Sequence, residues 1–201
     1  MAGVKFPESL EVLNLQSSMT TTRGLKLPQH LKHLILSGNG INSINPLKLP
    51  NTIEILYLNQ NHIKTLNKVV FPPNCDPFFY ENDKHITTLK DVILPPNLKT
   101  LKLSYHGIKT IESFEFPASL RYLSLAYNEL RLIRNVKFGN HLKTLDLSGN
   151  QDLQSLDNVI IPESVTELRV PPQLVANLPA YVIERANENR LIIKKDDIES
   201  E

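Results

Sequence analysis

The chain has one cysteine, Cys75, among its 201 residues. A single thiol cannot close an internal disulfide, and secreted repeat proteins commonly seal their ends with cysteines, so the expected location is intracellular, in the cytoplasm. Neither sign of charge is in excess, with 22 Lys plus Arg against 21 Asp plus Glu. Without a global field the chain is not expected to be drawn to nucleic acid or to an anionic membrane. No apolar run approaches the roughly 18 residues of a membrane span, and the opening Met1-Ala2-Gly3-Val4-Lys5-Phe6-Pro7 lacks the apolar stretch of a signal peptide. No Asn-x-Ser/Thr sequon, Gly-rich phosphate loop, GxSxG, HExxH or CxxC motif is found either. What is present is 41% hydrophobic residues, enough for one sizeable domain with a continuous apolar core.

Those apolar residues recur. A unit of the form PxxLxxLxLxxNxIxxLxxVxF starts at Pro7, Pro28, Pro50, Pro72, Pro95, Pro117, Gly139 and Pro162, with starts 21 to 23 residues apart. The third copy carries Ile53, Leu56, Leu58, Asn61, Ile63, Leu66, Val69 and Phe71 at the expected places. The sixth matches it with Leu120, Leu123, Leu125, Asn128, Leu130, Ile133, Val136 and Phe138. The Leu-x-Leu step has the period of two of a short strand, whereas the later apolar positions, three residues apart, suit a turn or a 3-10 segment that brings the chain back. One unit cannot bury its own apolar residues. Stacked units are therefore expected to form a parallel sheet on the inner side of an arc, with each unit stabilised by its neighbours.

An amide side chain both donates and accepts, which suits it to the backbone groups left open where the chain turns off the strand. Asn39, Asn61, Asn128 and Asn150 stand at that place and are read as structural. His106 replaces Asn in the fifth unit and Ser18 in the first, so those two turns are expected to be held less firmly.

These residues resemble the leucine-rich repeat, over about residues 4 to 170. The 22-residue unit with Leu-x-Leu, Asn and a following Ile is similar to the short intracellular class found in phosphatase regulators. The leading Pro and closing pairs such as Phe71-Pro72 and Leu94-Pro95 are similar to bacterial-effector and FNIP-like repeats. The FNIP tetrapeptide itself is absent, as is any F-box or ubiquitin-ligase domain. The resemblance implies an α/β solenoid: a curved parallel β-sheet on the concave side, turns or 3-10 segments on the convex side, and a protein partner bound on the sheet. It also admits a regulatory or assembly segment of a larger protein, acting as a phosphatase regulator or as an adaptor for ubiquitin ligation.

Residues 1–170 are assigned to about eight repeats preceded by a partial one, and 171–201 to a C-terminal helical cap with an acidic tail. Val4 and Phe6 fall where the last apolar positions of a preceding unit would lie. An uncapped edge there would be covered by the rest of a longer chain, by a partner or by a second copy; a short irregular cap made of residues 1–9 is the alternative. After Pro171-Pro172, Leu174, Leu178, Tyr181, Val182 and Ile183 suit the buried face of a helix, expected from Pro179 to about Asn189. Leu191-Ile192-Ile193 is expected to add a last strand, and Lys194 to Glu201 to be solvated.

The fourth unit is irregular. Counted from Pro72, Phe78 and Tyr80 fall at the two core positions of the strand and Cys75 at the first Leu position, where a thiol behaves as a small buried hydrophobe. Ile86, Leu89, Val92 and Leu94 resume the pattern after one inserted residue.

Residues between the core positions project onto the concave surface, and they define the candidate partner-binding set: Ile35, Ile55, Tyr57, Phe79, Lys102, Tyr105, Tyr122 and Tyr127. Aromatic and aliphatic groups clustered in consecutive units point to an interface. High strand propensity with lateral stacking explains the tyrosines without a partner. Phe79 turns inward if the fourth unit slips by one residue. His30, His33, His62, His85, His106 and His141 do not share one repeat position, and no acidic pair has the spacing of a metal or acid-base site. The expectation is a non-catalytic scaffold with no cofactor.

Overall fold

The computed structural model describes residues 4–78 and 85–195. Its strands are short: β1 (Val12–Asn14), β2 (His33–Ile35), β3 (Ile55–Tyr57), β4 (Asp76–Phe78), β5 (Thr100–Lys102), β6 (Thr110–Glu112), β7 (Tyr122–Ser124), β8 (Leu132–Arg134), β9 (Thr144–Asp146), β10 (Glu167–Val170) and β11 (Ile192–Lys195), of which β1, β2, β3, β5, β7 and β9 are set by the Leu-x-Leu steps. A 3-10 helix spans Pro172–Asn177, and helix α1 spans Ala180–Asn187. Every pairing is parallel, as a solenoid with one strand per turn requires. β1 to β4 form one sheet, and β5, β7, β9, β10 and β11 form a second. β6 and β8 pair on the opposite side of the fifth and sixth units, where other units make turns.

In β1, β2, β3, β5, β6, β7, β8 and β9 the middle residue is buried in the stack. Leu34 lies in register with Leu56, and Leu101, Leu123 and Leu145 are in register with one another; all five are fully buried. Each unit opens with a tight turn closed from carbonyl i to N–H i+3, as from Pro50 O to Ile53 N (3.1 Å) and Pro117 O to Leu120 N (3.0 Å). Proline suits these turns because its ring pre-sets φ and no N–H is needed there. Where the seventh unit has Gly139 instead, a Cβ would come within 2.6 Å of Ala118 Cα, so two backbones meet where only glycine fits.

The asparagines bind neighbouring turns together. Asn61 Nδ2 donates to Leu36 O (2.8 Å) and Leu58 O (2.9 Å), and its Oδ1 accepts from Ile41 N (3.1 Å). Asn128 repeats this arrangement with Leu103 O, Leu125 O and Ile108 N, and Asn150 does so with Leu125 O, Leu147 O and Leu130 N. Ser18 itself is exposed, yet its turn is held from the next unit: Asn39 Oδ1 accepts from Ser18 N (2.7 Å) and Met19 N (2.8 Å). His106 is buried in the fifth unit.

The cap closes the last turn with polar side chains. Arg185, only 2% exposed, donates to the carbonyls of Ile161 (3.1 Å), Glu163 (3.4 Å) and Val165 (2.6 Å). The Tyr181 hydroxyl accepts from Ile161 N (2.8 Å) and donates to Val159 O (3.1 Å). Leu174, Leu178 and Val182 supply its apolar side, with Tyr181 and Ile183 partly buried beside them. The helix follows Pro179, as expected, and ends at Asn187. β11 runs on to Lys195, past the expected Leu191–Ile193, and Lys194, exposed within it, pairs with Glu167 at 2.9 Å.

The fourth unit needs a correction. Phe78 is in register with Tyr57, and Pro77 with the core residue Leu56, so the register is one residue away from the expected alignment. One residue is missing ahead of this strand: Ile53 and Ile55 are two apart, whereas their counterparts Cys75 and Asp76 are adjacent. With side chains alternating at period two, a slip of one exchanges the faces. Tyr80 and Phe79 lie outside the described residues. Cys75 itself is buried, and burial pushes its thiol up to about 12.

Candidate functional site

The sheet face is built by residues that flank the buried leucines. Ile35 on β2 lies in register with Tyr57 on β3, and Ile55, opposite His33, precedes Tyr57 by two residues, so the three share one face of the sheet, each half-buried. Of the eight candidates, these three form one group on the first sheet. Lys102 on β5 and Tyr122 on β7 belong to the second sheet, where Lys102 is exposed and Tyr122 half-buried.

Tyr105 and Tyr127 are not strand residues. They occupy the turn just after the strand, with φ of 60° and 52°, in the left-handed region that Gly38 and Gly149 adopt at the same repeat position. Held this way, the two rings stack, with centroids 4.6 Å apart and planes 5° from parallel. The next unit has Gly149 beneath them, where an added Cβ would be 2.4 Å from Tyr127 Cδ1. Tyr127 remains 49% exposed. The lateral stacking expected of the tyrosines is therefore real, and it leaves a large aromatic edge in contact with water.

The later units carry the polar half of the face, outside the candidate set. Asp146 is buried, accepts from Ser148 N (3.1 Å) and from the Ser148 hydroxyl, and lies 3.8 Å from Arg169. Arg169 also pairs with Glu167 (2.7 Å), which Lys194 reaches from β11. Hydrogen bonds from Lys194 and Arg169 hold the Glu167 carboxyl below the usual carboxylate range. Burial, followed by the Asp146 charge, raises the Tyr122 hydroxyl. Ser104 and Ser124 share a hydrogen bond of 2.7 Å between these two zones. At the junction of the two sheets, burial raises the Asp76 carboxyl while the Lys102 charge opposes that rise. The signal for these contacts was there in Asp146, Glu167 and Arg169, but only lateral register brings them together. Among the described residues no group of three His, Cys, Asp or Glu is placed to hold a metal ion, and no helix is long and apolar enough to cross a membrane.

Three models of the leucine rich repeat match the chain, over residues 28–43, 96–151 and 141–168. No curated protein matches it. Among solved structures, the chain is similar to the leucine-rich-repeat domain of a Shigella effector, at 20% identity and a TM-score of 0.57, over 94% of this chain and 82% of that one. It is also similar to the leucine-rich effector YopM from Yersinia pestis, at 18% identity and a TM-score of 0.57, over 92% of this chain and 49% of that one. At such identities the likeness speaks for the fold.

Proposed function

We propose that this chain, with its leucine-rich-repeat fold, acts as a non-catalytic scaffold that binds a partner protein on its sheet face. The observation carrying this reading is the apolar group of Ile35, Ile55 and Tyr57, half-buried on adjacent strands where solvation alone would favour polar residues. The Tyr105–Tyr127 stack adds a rigid aromatic edge, and tyrosine is enriched among residues that dominate binding energy. Affinity comes from burying these groups, with Lys102 and Tyr122 at the margin. A lone buried thiol and the lack of sequons support a cytoplasmic setting. A regulator or adaptor whose catalytic partner is supplied in trans fits the same surface.

The test compares affinity capture by the wild-type chain with capture by a Tyr57, Tyr105 and Tyr127 triple Ala variant, after both are shown to melt alike. A partner that is held by the first and lost by the second is the expected result. Equal capture removes the tyrosines of the sheet face as anchors and moves attention to the N-terminal edge or the convex side. Contact through the β1 edge is a second reading, favoured by Val4 and Val12, which are 45% and 50% exposed. A monodisperse monomer that binds no apolar dye would count against it.

A further inference from the structure

We infer that Lys99, Arg121 and Lys143 form a docking row for a short acidic helix of the partner, an inference that rests on the reading of the chain as a protein-binding scaffold. The three residues occupy one repeat position, immediately before β5, β7 and β9, along the border of the sheet face. Backbone bonds set them side by side: Arg121 N donates to Lys99 O, and Lys143 N to Arg121 O, both at 2.8 Å. All three are exposed, and none has an ion-pair partner among the described residues.

The same position behaves differently in the first three units. There it carries Glu11, Lys32 and Glu54, alternating in sign; Lys32 N donates to Glu11 O at 2.8 Å, and Lys32 Nζ reaches Glu11 Oε1 at 3.0 Å. Side chains at this position on adjacent turns therefore touch. Other surface cations also pair across units, as in Arg131–Asp152 (3.1 Å), Arg134–Glu112 (2.7 Å) and Lys137–Glu115 (3.6 Å). Like charges placed opposite one another on neighbouring strands are destabilising. Three unpaired cations in succession thus oppose folding, and an anionic partner removes that cost.

Spacing selects the partner. Neighbouring strands lie about 4.8 Å apart, and side chains three or four residues apart on a helix lie about 5–6 Å apart, so successive carboxylates along one helix face meet successive cations. The row is short, running on into Thr166 at one end and into the irregular fourth unit at the other. With a net charge of +1 the chain has no wider field to hold a long polyanion. A segment with three carboxylates fits; a nucleic-acid strand extends well past the row.

Fluorescence anisotropy on the full chain tests this with a labelled helical peptide bearing three Glu one turn apart, its Gln counterpart, and a single-stranded oligodeoxynucleotide of matching charge. The Glu peptide is expected to bind in a salt-sensitive manner, and the Lys99→Gln, Arg121→Gln, Lys143→Gln variant to bind it about tenfold more weakly. That variant should melt at the same temperature as wild type or higher, because repulsion has been removed. Equal binding by the variant, tighter binding of the oligonucleotide, or no preference for Glu over Gln overturns the proposal. The triple tyrosine variant should still bind the peptide. Loss of the peptide with the tyrosines but not with the cations overturns the row and leaves the scaffold reading standing, whereas failure of the capture experiment alone leaves the row standing.

Discussion

Tyr127 lies against Gly149 so closely that a side chain on the glycine would overlap its ring, with a Cβ 2.4 Å from Cδ1. Gly149 also has φ of +67°, so two separate reasons call for glycine there. Gly149→Ala is expected to cost about 2 to 4 kcal/mol, combining left-handed backbone strain with displacement of the ring. In a Tyr127→Ala background the cost should fall to about 1 to 2 kcal/mol, the backbone part alone. Urea unfolding of the four proteins checks this. An identical cost in both backgrounds would show that the ring contact plays no part.

Leu101→Ala and Leu123→Ala should each lose about 2 to 5 kcal/mol, because both side chains are fully buried between neighbouring turns and the cavity cannot collapse. Tyr122, one residue earlier and half-buried on the sheet face, should lose less when changed to Ala. Thermal melts of the three variants check the order.

Arg185→Ala should release the C-terminal end. Its guanidinium satisfies three carbonyls of the last turn, and their loss is expected to cost about 3 kcal/mol. Lys should not restore it, since a point charge cannot reproduce the planar fork. Hydrogen exchange is the measurement, with amides of β10 losing protection while those of β2 keep it.

Two carboxyls should respond to pH with opposite sign. Burial raises Asp76, so its charged form is disfavoured by folding, and Asp76→Asn is expected to stabilise at neutral pH. That gain should shrink as pH falls through the raised value. Glu167 is lowered by Lys194 and Arg169, so its contribution is present above the ordinary carboxylate range and is lost as pH falls through the lowered value. Glu167→Gln should destabilise at neutral pH and make no difference in strong acid. Melting curves at neutral pH and in strong acid, at about pH 2, decide both.

Cys75 should resist thiol reagents in the folded chain. With the thiol pushed up to about 12 and the side chain buried, neither thiolate nor access is available. Its labelling rate should track unfolding as urea is added. Fast labelling in buffer would contradict the burial.

The repeat length, the role of the asparagines, the buried thiol and the cap were legible in the sequence because each depends on spacing within one unit. Phe78 was misplaced because the missing residue ahead of β4 can be located only by pairing that strand with β3. Tyr105 and Tyr127 were seen as neighbours, but their ring stack depends on turns with positive φ, a conformation their residue type does not announce.

By itself, then, the sequence determined a stack of similar turns with leucines inside and asparagines at the bends. Periodicity carries that information wherever each unit must bury the same positions. The tertiary structure decided which side chains face one another across turns: Asp146 with Arg169, Tyr105 with Tyr127, and Lys99 beside Arg121 and Lys143. These relations hold between residues about 22 apart, and they are set by lateral backbone hydrogen bonds whose register a shift of one residue would change.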